Sequence, residues 1–216
     1  MPRIPRGQQA GYAYHVINRG NDRATVFHKA QDYEAFLTML AIAKARHPIK
    51  VLAFTLMPNH FHFVLEASHQ NSLSQFMQWL LTSHVRRYHR HYGGSGHIWQ
   101  GRFKSFPIQR DEHLLTVLRY VLQNPVRSGF VASMAAWPWS SWSRRELADR
   151  CPVEIEMDWL EKMDESLSAQ QVASIRESVN RQRPFGEPAW QSKVASLFGL
   201  QSTLRSRGRP AVGIRK

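Results

Sequence analysis

Cysteine is almost missing from this chain of 216 residues, with Cys151 standing alone. A single thiol excludes an intrachain disulfide, and with no second thiol to join it there is no thiolate zinc site. Acidic residues are scarce as well, 16 Asp and Glu against 29 Lys and Arg, which leaves a formal charge of +13. That imbalance points to a polyanionic partner, with nucleic acid ahead of a membrane surface. Long apolar runs are also lacking. The longest are of strand length, so nothing reads as a membrane span, and no basic amphipathic helix opens the chain. Met1-Pro2-Arg3-Ile4-Pro5-Arg6-Gly7 is basic, but no apolar region follows it, so a signal peptide is not expected and the expected location is cytoplasmic. What the chain does have is 43% hydrophobic content and enough length for one substantial core with an appendage, or for two small domains.

The densest signal is Met57-Pro58-Asn59-His60-Phe61-His62-Phe63-Val64-Leu65-Glu66, a turn followed by a short apolar run. On a strand, residues two apart share a face, so His60 and His62 stand side by side while Phe61, Phe63 and Leu65 enter the core behind them. Two imidazoles on one face can share a cation, or they can be half-buried histidines bonded to backbone. Glu66 falls on the same face further along, as a surface carboxylate or a partner of the histidines.

Around that stretch the pattern reads as strand, helix, strand, strand, helix, strand. Residues 12–17 are aromatic and β-branched and end in the turn formers Asn18-Arg19-Gly20-Asn21-Asp22. Tyr33, Phe36, Leu37, Leu40 and Ala41 recur at helical spacing up to His47-Pro48. Residues 49–56 and 60–66 give two adjacent strands, and Leu73, Phe76, Met77, Leu80 and Leu81 mark a second helix that ends at Gly93. Residues 97–108 are expected to form a fourth strand, with Arg102 and Lys104 on an exposed face. This order predicts an α+β fold, a ferredoxin-like antiparallel sheet with helices on one face and the other face open. Next, Asp111 can cap a helix whose core stripe is Leu114, Leu115, Leu118, Val121 and Leu122. Tyr120 and Asn124 lie off the stripe, one above the other, and Pro125 makes Asn124 the expected last helical residue. Glu154, Glu156, Asp158, Glu161, Asp164 and Glu165 form an acidic patch, read as a solvated helical linker or as a surface that pairs with a basic one. A last amphipathic helix carries Trp190, Val194, Leu197 and Phe198 and ends at Gly199. After it come Arg205, Arg207, Arg209, Arg215 and Lys216, and Arg207-Gly208-Arg209-Pro210 is similar to the core of an AT-hook.

Met57-Pro58-Asn59-His60-Phe61-His62, the element order, and Leu118-Arg119-Tyr120-Val121-Leu122-Gln123-Asn124-Pro125-Val126-Arg127-Ser128-Gly129 together resemble the HUH-class single-tyrosine transposases. The closest likeness is to the branch called REP-associated tyrosine transposases. It extends to Arg183-Pro184-Phe185-Gly186 and the Arg-Gly-Arg-Pro tail. The resemblance implies that Tyr120 is the nucleophile and that His60 and His62 bind a divalent metal, Mg²⁺ or Mn²⁺. It also implies a single-stranded DNA substrate. A phenol that attacks a phosphodiester releases a 3′ hydroxyl and keeps the bond as a 5′-phosphotyrosine, so no ATP is required. Related insertion-sequence enzymes carry a glutamine one turn after the tyrosine. Here Asn124 holds that place as the implied third ligand, with Gln123 as the alternative.

The branch cuts beside repetitive extragenic palindromes, which fold into hairpins. The implied partner is therefore single-stranded or hairpin DNA, with no membrane and no small-molecule substrate, and the implied setting is a bacterial nucleoid. The implied state is a monomer, though related enzymes are dimers. Arg86, Arg87, Arg102, Lys104, Arg119 and Arg127 are candidate phosphate contacts, Asn18 and Arg19 candidate base contacts, and Arg205, Arg207 and Arg209 candidate tail contacts. The expected division is a catalytic unit over 1–145, a helical linker over 146–182, and a C-terminal helix with a basic DNA-contacting tail over 183–216. Two other readings stay open: a non-catalytic hairpin-binding protein derived from a transposase, and a metal-dependent hydrolase in which water attacks.

Overall fold

The computed structural model of the chain describes residues 8–154, 163 and 165–205. Its first half alternates as the sequence predicts: β1 (Ala13–Arg19), α1 (Ala30–Arg46), β2 (Ile49–Met57), β3 (His60–Ala67), α2 (Ser72–Tyr92) and β4 (Lys104–Ile108). The strands lie in the order β2-β3-β1-β4, and every neighbouring pair is antiparallel. This is the ferredoxin-like order. Pro48 stops α1, leaving His47 in an extended conformation. Gly93, at φ 74°, closes α2 in the left-handed region that glycine reaches at no steric cost. Both helices pack on one face of the sheet, where Phe36, Leu40, Phe76 and Leu80 meet Val16, Phe54, Phe61 and Phe63.

The other face is not open. Onto it packs α3 (Glu112–Leu122), with Leu114, Val117, Leu118 and Val121 set against Ala13, Val64, Phe106 and Ile108. The physical reason can be seen in β3, which is buried from Phe61 to Ala67. With apolar side chains pointing both ways, both faces must be covered, and the core stripe of α3 supplies the second cover. The short α4 (Asn124–Arg127) follows directly. Within the stretch expected as a linker, α5 (Ala169–Arg181) adds Ile175 to the same layer. The chain then crosses back to the first face, where Val194, Ala195 and Phe198 of α6 (Pro188–Phe198) join the larger core, and α7 (Gln201–Leu204) ends the described structure.

The fourth strand is shorter than expected, because residues 97–103 form a loop. Trp99 bridges to Gly20, and Gly101 takes φ 68°, which breaks the strand before Lys104. In the acidic patch, Glu156, Asp158, Glu161 and Asp164 lie outside the described residues, as do Arg207 and Arg209 of the tail. Glu154 and Glu165 are exposed. Among the described residues no helix is long and apolar enough to cross a membrane.

One buried histidine on the α1–α2 side sets a pH dependence. His84 is 1% exposed among Phe27, Phe36 and Trp99. Burial, helped by the Arg87 charge and opposed by Asp32, pulls its pKa down from 6.5 to about 3. The unfolded chain binds this proton near its ordinary pKa and the folded chain does not, so stability falls as pH drops from about 6.5 toward about 3. The steepest contribution is about 1.4 kcal/mol per pH unit. His84→Leu is therefore expected to flatten urea-unfolding stability against pH by about one proton between roughly pH 4.5 and 6.5. Equal slopes in the two proteins would mean that His84 already carries its proton in the fold.

Candidate active site

The covered face of the sheet carries the histidines. Register sets His62 opposite Ile17 of β1 and Thr55 of β2, and His60 opposite Arg19 and Met57. His15, two residues before Ile17 on β1, therefore lies diagonal to His62 on the same face. His15 Nε2 meets His62 Nδ1 at 2.9 Å. On its other side His62 Nε2 meets Asn124 Nδ2 at 3.1 Å, and Asn124 also bonds His60. The Nδ1 of His60 is taken by Asn59 Oδ1 at 2.7 Å. Each imidazole of the pair is thus held through Nδ1 by a neighbour, an arrangement that fixes ring orientation and tautomer.

All three rings are held neutral. Burial takes His15 down to about 3 and, together with the Arg19 charge, takes His60 to about 4, the Asn124 bond partly opposing. His62 is pushed well below its ordinary range, first by burial and then by the charges of His60, His15, Arg127 and Arg19. Neutral imidazole is the form that donates a lone pair to a metal. The donor set fits an ion. The 3.1 Å between His62 Nε2 and the Asn124 amide matches the separation of about 3 Å between ligand atoms at right angles on bonds of about 2.1 Å. A half-turn of that amide puts its carbonyl oxygen where the nitrogen stands. Gln123 does not compete for the place, since its amide donates to the carbonyls of Met163 and Glu165.

The seating of α3 brings Tyr120 to this group. Pro125 has no N–H to offer the Val121 carbonyl four residues back, and Thr55 Oγ1 donates to that carbonyl at 2.9 Å. Thr55 is fully buried and stands directly opposite His62, so one hydrogen bond sets the helix in register with the histidine strand. The Tyr120 ring lies 5.9 Å from that of His62 and 6.2 Å from that of His15, centroid to centroid. The Arg127 guanidinium sits 4.1 Å over the Tyr120 ring, and its Nη2 donates to the Tyr120 carbonyl at 3.0 Å. Tyr120 is only 6% exposed. Asn124 is not the last residue of α3, as the sequence pattern suggests. The helix ends at Leu122 and Asn124 opens α4, because the turn at Gln123 lets Pro125 take the second position of a new helix, where no N–H is needed.

The remaining candidates separate into groups. Asn18, Arg19, Arg102 and Lys104 come together, with Gln100 and Asn180, around a cavity of about 110 Å³ at the β1–β4 edge. The side chain of Asn18 is engaged there, donating to Gly101 O at 3.4 Å and accepting from Arg19 N at 3.0 Å. Arg119 is half-buried on α3 beside Tyr120. Arg86 and Arg87 belong to α2, across the sheet from His62, and Arg87 lies 3.6 Å from buried Asp32. Arg205 is exposed just past α7. Glu66 is no surface carboxylate. It is 5% exposed and paired with Lys50 at 2.7 Å and Arg110 at 3.0 Å, which holds the far end of β3. A second group able to hold a metal ion, Glu112, His113 and Glu187, has ligand atoms within 4.8 Å of one another at the start of α3, seven residues before Tyr120. Sequence reasoning misses His15. Its one signal is a polar side chain in the middle of a strand with no polar neighbour to explain it.

The family model described as "Transposase IS200 like" matches residues 8–124. The chain is 22% identical over 148 residues to an Escherichia coli protein described as a REP-associated tyrosine transposase, covering 68% of this chain and 85% of that one. It is 29% identical over 118 residues to a Haemophilus influenzae protein provisionally given the same description, covering 49% and 66%. Among solved structures it is similar to a REP-associated tyrosine transposase bound to a REP hairpin, with a TM-score of 0.53 and 22% identity over 69% of this chain and 87% of that one.

If Thr55 holds α3 in place, Thr55→Val is expected to leave the Val121 carbonyl without its side-chain donor and to cost about 1–3 kcal/mol in urea unfolding, while Thr55→Ser keeps most of it. A valine variant as stable as the parent would remove Thr55 from this role.

Proposed function

Because the chain belongs to the IS200-like transposase family, we propose that it is a DNA strand-transfer enzyme that cuts single strands beside palindromic hairpins through a 5′-phosphotyrosine on Tyr120. The observation that carries this reading is the meeting of Tyr120 with His62 and Asn124 at the sheet face, from elements about sixty residues apart in the chain. The REP hairpin bound by the solved relative, and the surplus of basic side chains here, support hairpin DNA as substrate.

In this account His60 Nε2, His62 Nε2 and the Asn124 carbonyl oxygen would hold a divalent ion. Two imidazole donors suit Mn²⁺ better than Mg²⁺, which prefers oxygen. When bound, the ion supplies Lewis-acid polarisation of a non-bridging phosphate oxygen and a fixed point for the scissile group. His15 keeps the His62 ring in the ligating orientation, and Asn59 does the same for His60. The Tyr120 phenolic oxygen forms a bond to phosphorus as the bond to the 3′ oxygen breaks. The tyrosine proton is lost and the leaving 3′ oxygen gains one. Arg127, lying over the Tyr120 ring, sets a positive charge beside the phenol, where it would offset the negative charge gathered on the pentacoordinate phosphorus. In the reverse direction a 3′ hydroxyl from another strand attacks the phosphotyrosine and rejoins DNA. Glu112, His113 and Glu187 are not assigned the catalytic ion, since they lie two helical turns from the phenol.

The test uses a labelled palindromic oligonucleotide with single-stranded flanks, incubated with the full chain and Mn²⁺ or Mg²⁺ and resolved under denaturing conditions. A protein–DNA adduct is expected that is lost with chelator and lost in Tyr120→Phe. Binding without any adduct in either metal would make the chain a hairpin-binding module. Cleavage that leaves free ends and survives in Tyr120→Phe would mean that water attacks.

A further inference from the structure

Beside the histidines, the β1–β4 edge of the sheet holds the basic cavity of about 110 Å³. Three parts of the chain wall it. Ile17, Asn18 and Arg19 come from the end of β1, Gln100, Arg102 and Lys104 from the loop that leads into β4, and Val179 and Asn180 from α5. The loop is held to β1 by Gln100 N, which donates to Arg19 O at 2.7 Å, and Gly101 turns the chain at φ 68° before Lys104 rejoins the sheet. Val179 packs on the second core, which fixes α5 against this edge. That helix lies beyond residues 8–124, the segment matched by the family model.

Register ties the cavity to the histidine site. Lys104 stands opposite Ile17 and Ile17 opposite His62, so the three share one face in a row across β4, β1 and β3. Arg19, two residues after Ile17 and on the same face, stands opposite His60 in the next row. With neighbouring strands about 4.8 Å apart, Lys104 is rooted about 10 Å from His62, near enough for one DNA strand to touch both.

The lining combines three kinds of chemistry. Arg19, Arg102 and Lys104 are exposed, and among the described residues no carboxylate lies within ion-pair distance of any of them. A concave site lined by one sign of charge concentrates the field and draws an anion. Ile17 and Val179 are half-buried and offer aliphatic surface, while Gln100 and Asn180 are exposed and each carries a donor and an acceptor on one amide. Cations suit a phosphate, aliphatic surface suits the flat face of a base, and amides suit its edge. The size excludes a base pair. A cavity of about 150 Å³ takes one benzene ring, so 110 Å³ open at the surface admits a single base, its phosphate resting on the charged rim.

We propose that this cavity seats one unpaired nucleotide of the single-stranded flank beside the scissile phosphate, with Arg19, Arg102 and Lys104 around its phosphate and Gln100 and Asn180 at the edge of its base. The proposal rests on the strand-transfer reading given above and deepens it. Asn180, on a helix outside the family-matched segment, becomes a determinant of which flank sequence is accepted.

The experiment is fluorescence anisotropy of the full chain without metal, on a hairpin oligonucleotide whose single-stranded flanks carry an abasic residue at each position in turn. A second set carries a neutral methylphosphonate at each flank phosphate, and the covalent adduct is scored separately in Mn²⁺. Asn180→Ala, at an exposed helical position where alanine is well tolerated, is expected to weaken Kd roughly fivefold, the loss of one hydrogen-bonding amide. At one flank position only, the abasic residue should weaken binding by the parent and leave Asn180→Ala unchanged. Lys104→Gln should make the log-log salt slope shallower by about 0.7, the loss of one single-strand phosphate contact. Its loss should fail to add to that of a methylphosphonate adjoining the same nucleotide. Arg90→Gln, on α2 across the sheet, is the control and should show no such coupling at any position. If the effects of Asn180→Ala and the abasic residue add at every flank position, or if Asn180 and Lys104 couple to distant nucleotides, the nucleotide site is wrong while an adduct on Tyr120 still upholds the function. If the parent protein neither binds the oligonucleotide nor forms the adduct, both fail.

Discussion

The geometry of the site depends on a single buried hydrogen bond between a strand and a helix. Thr55 Oγ1 reaches the Val121 carbonyl, which Pro125 leaves without a helical donor. A proline that interrupts a helix would ordinarily expose backbone to water. Here the freed carbonyl is the point at which α3 is pinned to β2, directly across from His62. With that point fixed, Tyr120 falls one residue before it beside the imidazole rings. Asn124, three residues after it, falls against His62 Nε2. The same break in the helix lets Asn124 begin α4 and turns Arg127 back over the Tyr120 ring.

Electrostatics then follow from burial. Three imidazoles in a row would repel if charged, and the desolvated sheet face keeps them neutral. The cations Arg19 and Arg127 stand around them without a carboxylate to balance them among the described residues, so the site is a neutral ligand set inside a positive rim. A folded protein tolerates such an arrangement at a cost in stability, and a divalent ion with a polyanion restores the balance. Elsewhere in the fold comparable charges are matched, as in Asp32 with Arg87 and Tyr92, or Glu66 with Lys50 and Arg110.

Much of this was legible in the residues. Period-two and period-3.6 patterns placed five of the first six elements to within a few residues, and spacing alone put His60 with His62 and Tyr120 with Asn124 on common faces. The side-chain pattern overextends the fourth strand because Arg102, Phe103 and Lys104 alternate like a strand, while the break at Gly101 depends on a backbone dihedral that no pattern of side chains announces. The covered second face does not show in the pattern because alternation marks histidines as polar and therefore outward. What decides is that Ala13, Val64 and Phe106 around them are apolar and need the stripe of α3. His15 escapes the sequence pattern for a related reason, since it gains its place only through tertiary contact with His62 across a strand pair.

The central claim is that the phenol of Tyr120, rather than water or another side chain, takes the phosphate. Proteolysis of the covalent product and mass measurement of the nucleotide-bearing peptide locate the link directly. The account predicts a phosphodeoxynucleotide on the peptide containing Tyr120, attached through its 5′ phosphate and joined to the phenolic oxygen. A nucleotide on any other peptide, or a product that releases only free DNA ends while every peptide keeps its unmodified mass, would contradict it.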